Sequence, residues 1–186
     1  MLSAQRGFTL LETLIAMALS SVVLLGASRL FPVLQMEIMR EYQYVAKQEA
    51  MWQLAFSVGK NLRRAGYCRG VCQGEGLRIL NGGSCVLVQW DANGNGKWDV
   101  SPEGQSELTG YRLRNESLET QKGAKSCEGN GWEKMSDPEL MSLQHFSVTR
   151  QNRKEAKPLL SLRLAASLGN RSRISEINYI VSGENL

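Results

Sequence analysis

Histidine is nearly absent: His145 is the only one in 186 residues. That excludes any metal centre built on several imidazoles. Strong charge is lacking too. The formal net charge is +4, with charged residues at 22%, too mild a balance to argue for nucleic acid by itself. No internal repeat and no low-complexity linker interrupts the chain. Serine, histidine and aspartate occur, but nothing spaces them as a catalytic triad, and no enzyme signature is present. The length suits one domain, or one domain plus an anchor. Four cysteines, Cys68, Cys72, Cys85 and Cys127, fit two disulfides if the domain lies outside the cytoplasm.

Charge is scarcest near the N-terminus. Between Gly7 and Arg29 the one charged residue is Glu12. Phe8 to Ser28 is rich in alanine, leucine, methionine and isoleucine, and as a helix it covers roughly 30 Å, enough for a bilayer core. Ala16, Ala18, Ser20, Ser21, Gly26 and Ala27 suit close helix–helix contact. The positive-inside rule keeps Arg6 in the cytoplasm and exports the chain beyond Arg29. A cleaved secretory signal is disfavoured: Ala16-Met17-Ala18 comes too early in the apolar run, and Glu12 interrupts it. A plain anchor accounts for the length but not for the carboxylate. An unpaired carboxylate in the membrane costs on the order of 2.5 kcal/mol or more, and no lysine or arginine lies within a turn on the membrane side. A cut after Gly7 supplies the missing partner, because the new Phe8 amino group is cationic near neutral pH and sits about one turn away.

Gly7-Phe8-Thr9-Leu10-Leu11-Glu12, placed after a short leader and before an apolar run, resembles the processing motif of type IV pilins and type II secretion pseudopilins. The resemblance implies cleavage after Gly7 by a prepilin peptidase, N-methylation of Phe8, and a role for Glu12 in assembly. The leader departs from the usual pattern in carrying one basic residue. Asn61-Leu-Arg-Arg-Ala-Gly-Tyr67, Trp132-Glu-Lys-Met-Ser-Asp-Pro138 and Leu143-Gln-His-Phe146 are similar to PilW-like and J-type minor pilins. That group implies a single-pass inner-membrane protein with its C-terminal domain in the periplasm. It also implies work at a filament tip with other minor and major pilins or pseudopilins.

Past Arg29 the chain runs to Arg64 with Pro32 and Gly59 as its one proline and one glycine. Pro32 is expected to kink the helix. Ile38, Tyr42, Val45, Trp52, Ala55, Phe56, Gly59 and Leu62 recur at helical steps and are expected to face the core, opposite Glu37, Arg40, Glu41, Lys47, Glu49 and Arg63. A coiled coil is the alternative, but its heptads are few and irregular. Residues 1–7 then form the leader, 8–31 the membrane and assembly helix, 32–65 an amphipathic helix, and 66–186 a β-rich domain. Strands are expected at 77–80, 85–90, 110–114, 117–121, 144–150, 159–168 and 173–181, with a hairpin around Asn115-Glu116. Short strands with polar turns favour antiparallel pairing. The fold class is α+β, a long helix on one or two antiparallel sheets, as in type IV pilins.

Asp91, Asn93, Asn95 and Asp99 are spaced as D-x-N-x-N-G-x-x-D, the opening of an EF-hand loop, with Gly96 at the sharp turn. Pro102 stands where the twelfth-position glutamate belongs, and Glu103 is one place late. A Gly/Asn-rich turn is the simpler reading; weak calcium binding is the other, and no further cofactor is expected. Zinc is disfavoured by the spacing of Cys85 and Cys127. Of the three disulfide connectivities, Cys68–Cys72 with Cys85–Cys127 is slightly favoured, the longer loop adding about 4 kcal/mol in the chain-entropy model. The C-terminal cations Arg150, Arg153, Lys154, Lys157, Arg163, Arg171 and Arg173 could meet DNA phosphates, but aromatic interleaving is poor and a solvated face or subunit contact is favoured. His145 reads as a structural residue. Three functions are compatible with these features: a minor pilin or pseudopilin helping to initiate or cap a type IV pilus or type II secretion pseudopilus, a DNA- or surface-binding pilin head, and a calcium-responsive anchored module.

Overall fold

A computed structural model describes residues 7–100, 105–168 and 174–186. The leader residues before Gly7, and also Pro102, Glu103, Arg171 and Arg173, lie outside them. The chain divides into two compact units, Met1–Gln43 and Tyr44–Leu186.

One helix, α1, runs Leu10–Arg64. Pro32, the expected kink position, lies inside it, and the helix continues through that residue. In the first unit, every described residue of the helix is exposed. In the second unit, α1 buries Met51, Leu54, Ala55, Val58, Gly59 and Leu62. Only Ala55, Gly59 and Leu62 of these belong to the expected core face. Val45, Trp52 and Phe56 are 55%, 47% and 61% exposed, and Ile38 and Tyr42 are exposed as well. At about 3.6 residues per turn, Val45, Trp52 and Phe56 centre roughly 120° from the buried set. The helix carries two apolar faces, and folding uses the one with the smaller side chains.

Among the described residues, eight strands come after it: β1 (Leu77–Leu80), β2 (Cys85–Gln89), β3 (Leu108–Arg114), β4 (Ser117–Lys122), β5 (Glu133–Lys134), β6 (Ser142–Arg153), β7 (Ala156–Ser167) and β8 (Ile174–Ser182). They form two antiparallel sheets, ordered β1-β2-β3-β4-β5 and β6-β7-β8. The β3–β4 hairpin turns on Asn115 and Glu116, whose φ angles of 48° and 59° match the primed turn that suits the twist of paired strands. The main core joins α1 to both sheets through Leu62, Val86, Val88, Leu118, Phe146, Leu160, Leu162, Leu164 and Ile177.

β2 is apolar from Cys85 to Val88 because both of its faces are covered. Val86 and Val88 face the main core, while Leu87 joins a second cluster with Leu108 and Ala124, against which Leu80 and Trp132 pack. The segment 123–132 supplies that second cover. Cys127 in this segment is bonded to Cys85 of β2. Arg112 of β3 donates from Nη1 to the Cys127 carbonyl at 2.7 Å and from Nε to Glu119 at 2.8 Å, with its guanidinium 4.2 Å from the Trp132 ring centroid.

At the end of α1, Gly66 takes φ +82° and its N–H donates to the Gln89 carbonyl at 2.9 Å. A Cβ there would lie 2.4 Å from the backbone oxygen of Asn185. The left-handed turn and this close approach together require glycine.

Candidate functional site

Gly7, Phe8 and Thr9 precede the first turn of α1. Thr9 caps the helix: its Oγ1 accepts the Glu12 N–H at 3.3 Å, and its carbonyl accepts the Thr13 N–H at 3.2 Å. Thr-x-x-Glu is the capping-box spacing, a signal sufficient to single out Thr9 alongside the processing residues. The cap starts the helix immediately after the Gly7–Phe8 bond and places Glu12 in the first turn, where the helix dipole favours an anion. Phe8 is 82% exposed.

The apolar run beyond this cap satisfies several of its own hydroxyls. Thr13, Ser21 and Ser28 donate back to the carbonyls of Leu10, Ala18 and Leu25 at 2.9, 2.7 and 2.9 Å. These groups therefore need no water, which is the requirement for a helix in hydrocarbon. α1 is long and apolar enough to cross a membrane. Glu12 is different: among the described residues, no cationic side chain pairs with it.

The Asp91–Asp99 loop is closed by its own hydrogen bonds. Asp91 is 2% exposed, and its carboxylate accepts the N–H groups of Arg69, Asn95 and Gly96 at 3.0, 3.0 and 2.9 Å. Burial pushes the Asp91 carboxyl up, but the converging backbone N–H groups outweigh it, so its pKa falls below the ordinary 3.8. Asn93 and Asn95 turn their Nδ2 groups to Asp99 Oδ2 at 2.9 and 2.8 Å. Their Oδ1 atoms accept the N–H groups of Asn95 and Lys97, both at 2.9 Å. The amide oxygens are thus directed at the backbone. Among the described residues, no group of three or more histidine, cysteine, aspartate or glutamate side chains is placed to hold a metal.

Sequence reading missed Glu107. It is buried and accepts the N–H groups of Ala92, Asn93 and Asp99 at 2.6, 3.1 and 3.0 Å. A lone glutamate before a strand gives no hint of that role.

The structure joins Cys68 to Cys72 and Cys85 to Cys127 and leaves no free cysteine among the described residues. His145 is exposed, not held in a core, and its Nε2 lies 2.9 Å from Ser147 Oγ. Two of the C-terminal cations are paired, Lys157 with Glu184 and Arg163 with Glu176.

Known proteins are similar to this chain in sequence. The family model for prepilin peptidase-dependent protein B matches residues 40–183, and the prokaryotic N-terminal methylation motif matches residues 2–28. The prepilin peptidase-dependent protein B of Escherichia coli (strain K12) is 46% identical over 183 residues, covering 98% of each chain. No solved structure matches. The α+β arrangement of one long N-terminal apolar helix and antiparallel sheets is that of the pilin-like fold. The chain belongs to the prepilin peptidase-dependent protein B family, and is a pilin-like protein bearing the N-terminal methylation motif.

Proposed function

We propose that the chain is a minor pilin or pseudopilin, cut after Gly7 by a prepilin peptidase, methylated at Phe8, and used to initiate or cap a type IV pilus or type II secretion pseudopilus. The observation that carries this reading is Glu12. It is the lone charge between Gly7 and Arg29, in the exposed apolar stretch of α1, and cleavage after Gly7 creates an amine one turn away, on its own chain or a neighbour's. A carboxylate held for that amine makes docking depend on processing. The helix would hold the unassembled subunit in the inner membrane, with the Tyr44–Leu186 unit in the periplasm and then at the filament tip. The role is mechanical, with no reaction assigned to any residue.

The test is the intact mass and N-terminal sequence of the protein recovered from membranes, with and without a co-expressed prepilin peptidase. A chain beginning at N-methylated Phe8 only when the peptidase is present is the expected result. A chain that keeps Met1 beside an active peptidase, or that is cut far downstream, overturns the reading.

A further inference from the structure

Within the Tyr44–Leu186 unit, a groove of about 420 Å³ lies beside the last turns of α1. Lys60, Arg63 and Arg64 line it together with Phe56, Tyr67 and Tyr179. All three cations are exposed, and none forms an ion pair among the described residues. The one acid in the lining, Glu184, is already paired with Lys157. Three positive charges therefore face a single carboxylate that has its own partner.

Cations at the end of a helix also offset its dipole, which accounts for Arg63 and Arg64 being there. It does not account for the rings beside them. Phe56 and Tyr179 stand edge to face at 6.5 Å, yet Phe56 remains 61% exposed and Tyr67 44%. Val45, Trp52 and Phe56 continue this apolar surface along the helix. A contiguous apolar surface ending in unpaired charge of one sign is the composition of an interface, with anchoring rings and a steering rim.

We propose that this groove docks a neighbouring subunit, through a segment of that subunit carrying two or more carboxylates and an aliphatic side chain. The carboxylates meet Lys60, Arg63 and Arg64, and the aliphatic group lies on Phe56 and Tyr179. The proposal rests on the filament-subunit reading for its choice of partner.

The test uses the full chain in nanodiscs and a fluorescent peptide of alternating glutamate and leucine, with a lysine–leucine peptide as control. The acidic peptide should bind, and more weakly at higher salt. The double variant Lys60→Glu, Arg63→Glu should weaken binding by about tenfold or more, and Phe56→Ala should weaken it without removing the salt dependence. Reversing Arg153 and Lys154, also exposed but outside the groove, should leave peptide binding unchanged. All the substituted side chains are exposed, and an unchanged melting curve checks that each variant is folded. No binding of the acidic peptide overturns the proposal, as does equal loss in the Arg153/Lys154 variant. Displacement by single-stranded DNA at lower concentration than the peptide would make a nucleic acid the occupant and also overturn it. N-terminal processing is scored separately by mass, so a silent groove on a correctly processed chain defeats the groove and leaves the pilin reading standing.

Discussion

The two disulfides are of unequal value, and removing them separately tests how the second sheet face is held. Cys85 and Cys127 are 42 residues apart, whereas Cys68 and Cys72 are 4 apart. In the chain-entropy model the longer loop contributes about 4 kcal/mol and the shorter about 2 kcal/mol. Burial widens the gap, since Cys85 and Cys127 are 1% and 7% exposed and alanine there leaves unfilled volume. The long bridge also tethers segment 123–132, which carries the Cys127 carbonyl accepting Arg112 and the Trp132 ring lying over it. Loss of the bridge should therefore loosen the cover on Leu87 and Leu108. The assay is urea unfolding of the Tyr44–Leu186 unit as paired alanine variants, with amide exchange read over β2 and β3. The variant lacking Cys85 and Cys127 should lose at least about 2 kcal/mol more than the variant lacking Cys68 and Cys72. Its exchange should rise at 123–132 and in β2. Equal losses, or a larger loss from the short bridge, would refute the argument.

Single sites give further outcomes. Gly66→Ala should cost about 3 kcal/mol, combining a left-handed φ with overpacking against Asn185. Gly82→Ala, at φ 65° with open space around its Cβ, should cost only about 1 kcal/mol, and a melting comparison of the two variants reads the difference. Asp91 binds its proton less readily folded than unfolded, so its contribution is present above its unfolded pKa near 3.8 and is lost as pH falls through the lower folded value. The resonance of the Trp98 Nε1–H, which donates to the Tyr67 carbonyl beside this loop, should shift in that acid range and should not show the same transition in Asp91→Asn. Calcium should leave the melting temperature unchanged, because binding would have to break the bonds between the Asn93 and Asn95 oxygens and the backbone. A rise with calcium would refute that geometry.

The membrane helix, the hairpin at Asn115-Glu116 and seven of the strands are legible in the sequence because each has a local cause. These causes are an apolar run long enough to span a bilayer, a two-residue turn, and alternation such as Leu160-Ser-Leu-Arg-Leu. β5 is not legible: Glu133 and Lys134 are both exposed, and a two-residue strand has no period to detect. Its pairing depends on β4 and on the buried hydrogen bonds that Ser136 makes with Ser117 and Leu118, which are long-range facts. The processing motif is local and readable, including the Thr9 cap. The closure of the 91–107 loop is not, because Glu107 acts across fourteen or fifteen positions.

The misread core face of α1 has a physical cause. Pattern reading ranks faces by how much apolar surface they carry, and Trp52, Phe56 and Val45 outweigh Met51, Leu54, Ala55, Val58 and Leu62 in aromatic content. Packing ranks faces by how closely the backbone can approach. Ala55 and Gly59 let the helix lie near the sheet, where a Cβ at Gly59 would come 2.3 Å from the Tyr179 ring, and close contact recovers dispersion that bulky side chains on a distant helix could not. The larger residues are therefore left largely exposed, Phe56 keeping one edge contact with Tyr179. Keeping tryptophan and phenylalanine in water costs solubility and gives the monomer nothing. A partner that covers them gives the arrangement a purpose, and Lys60, Arg63 and Arg64 beside them, without an ion pair among the described residues, indicate the sign of the charge that partner brings.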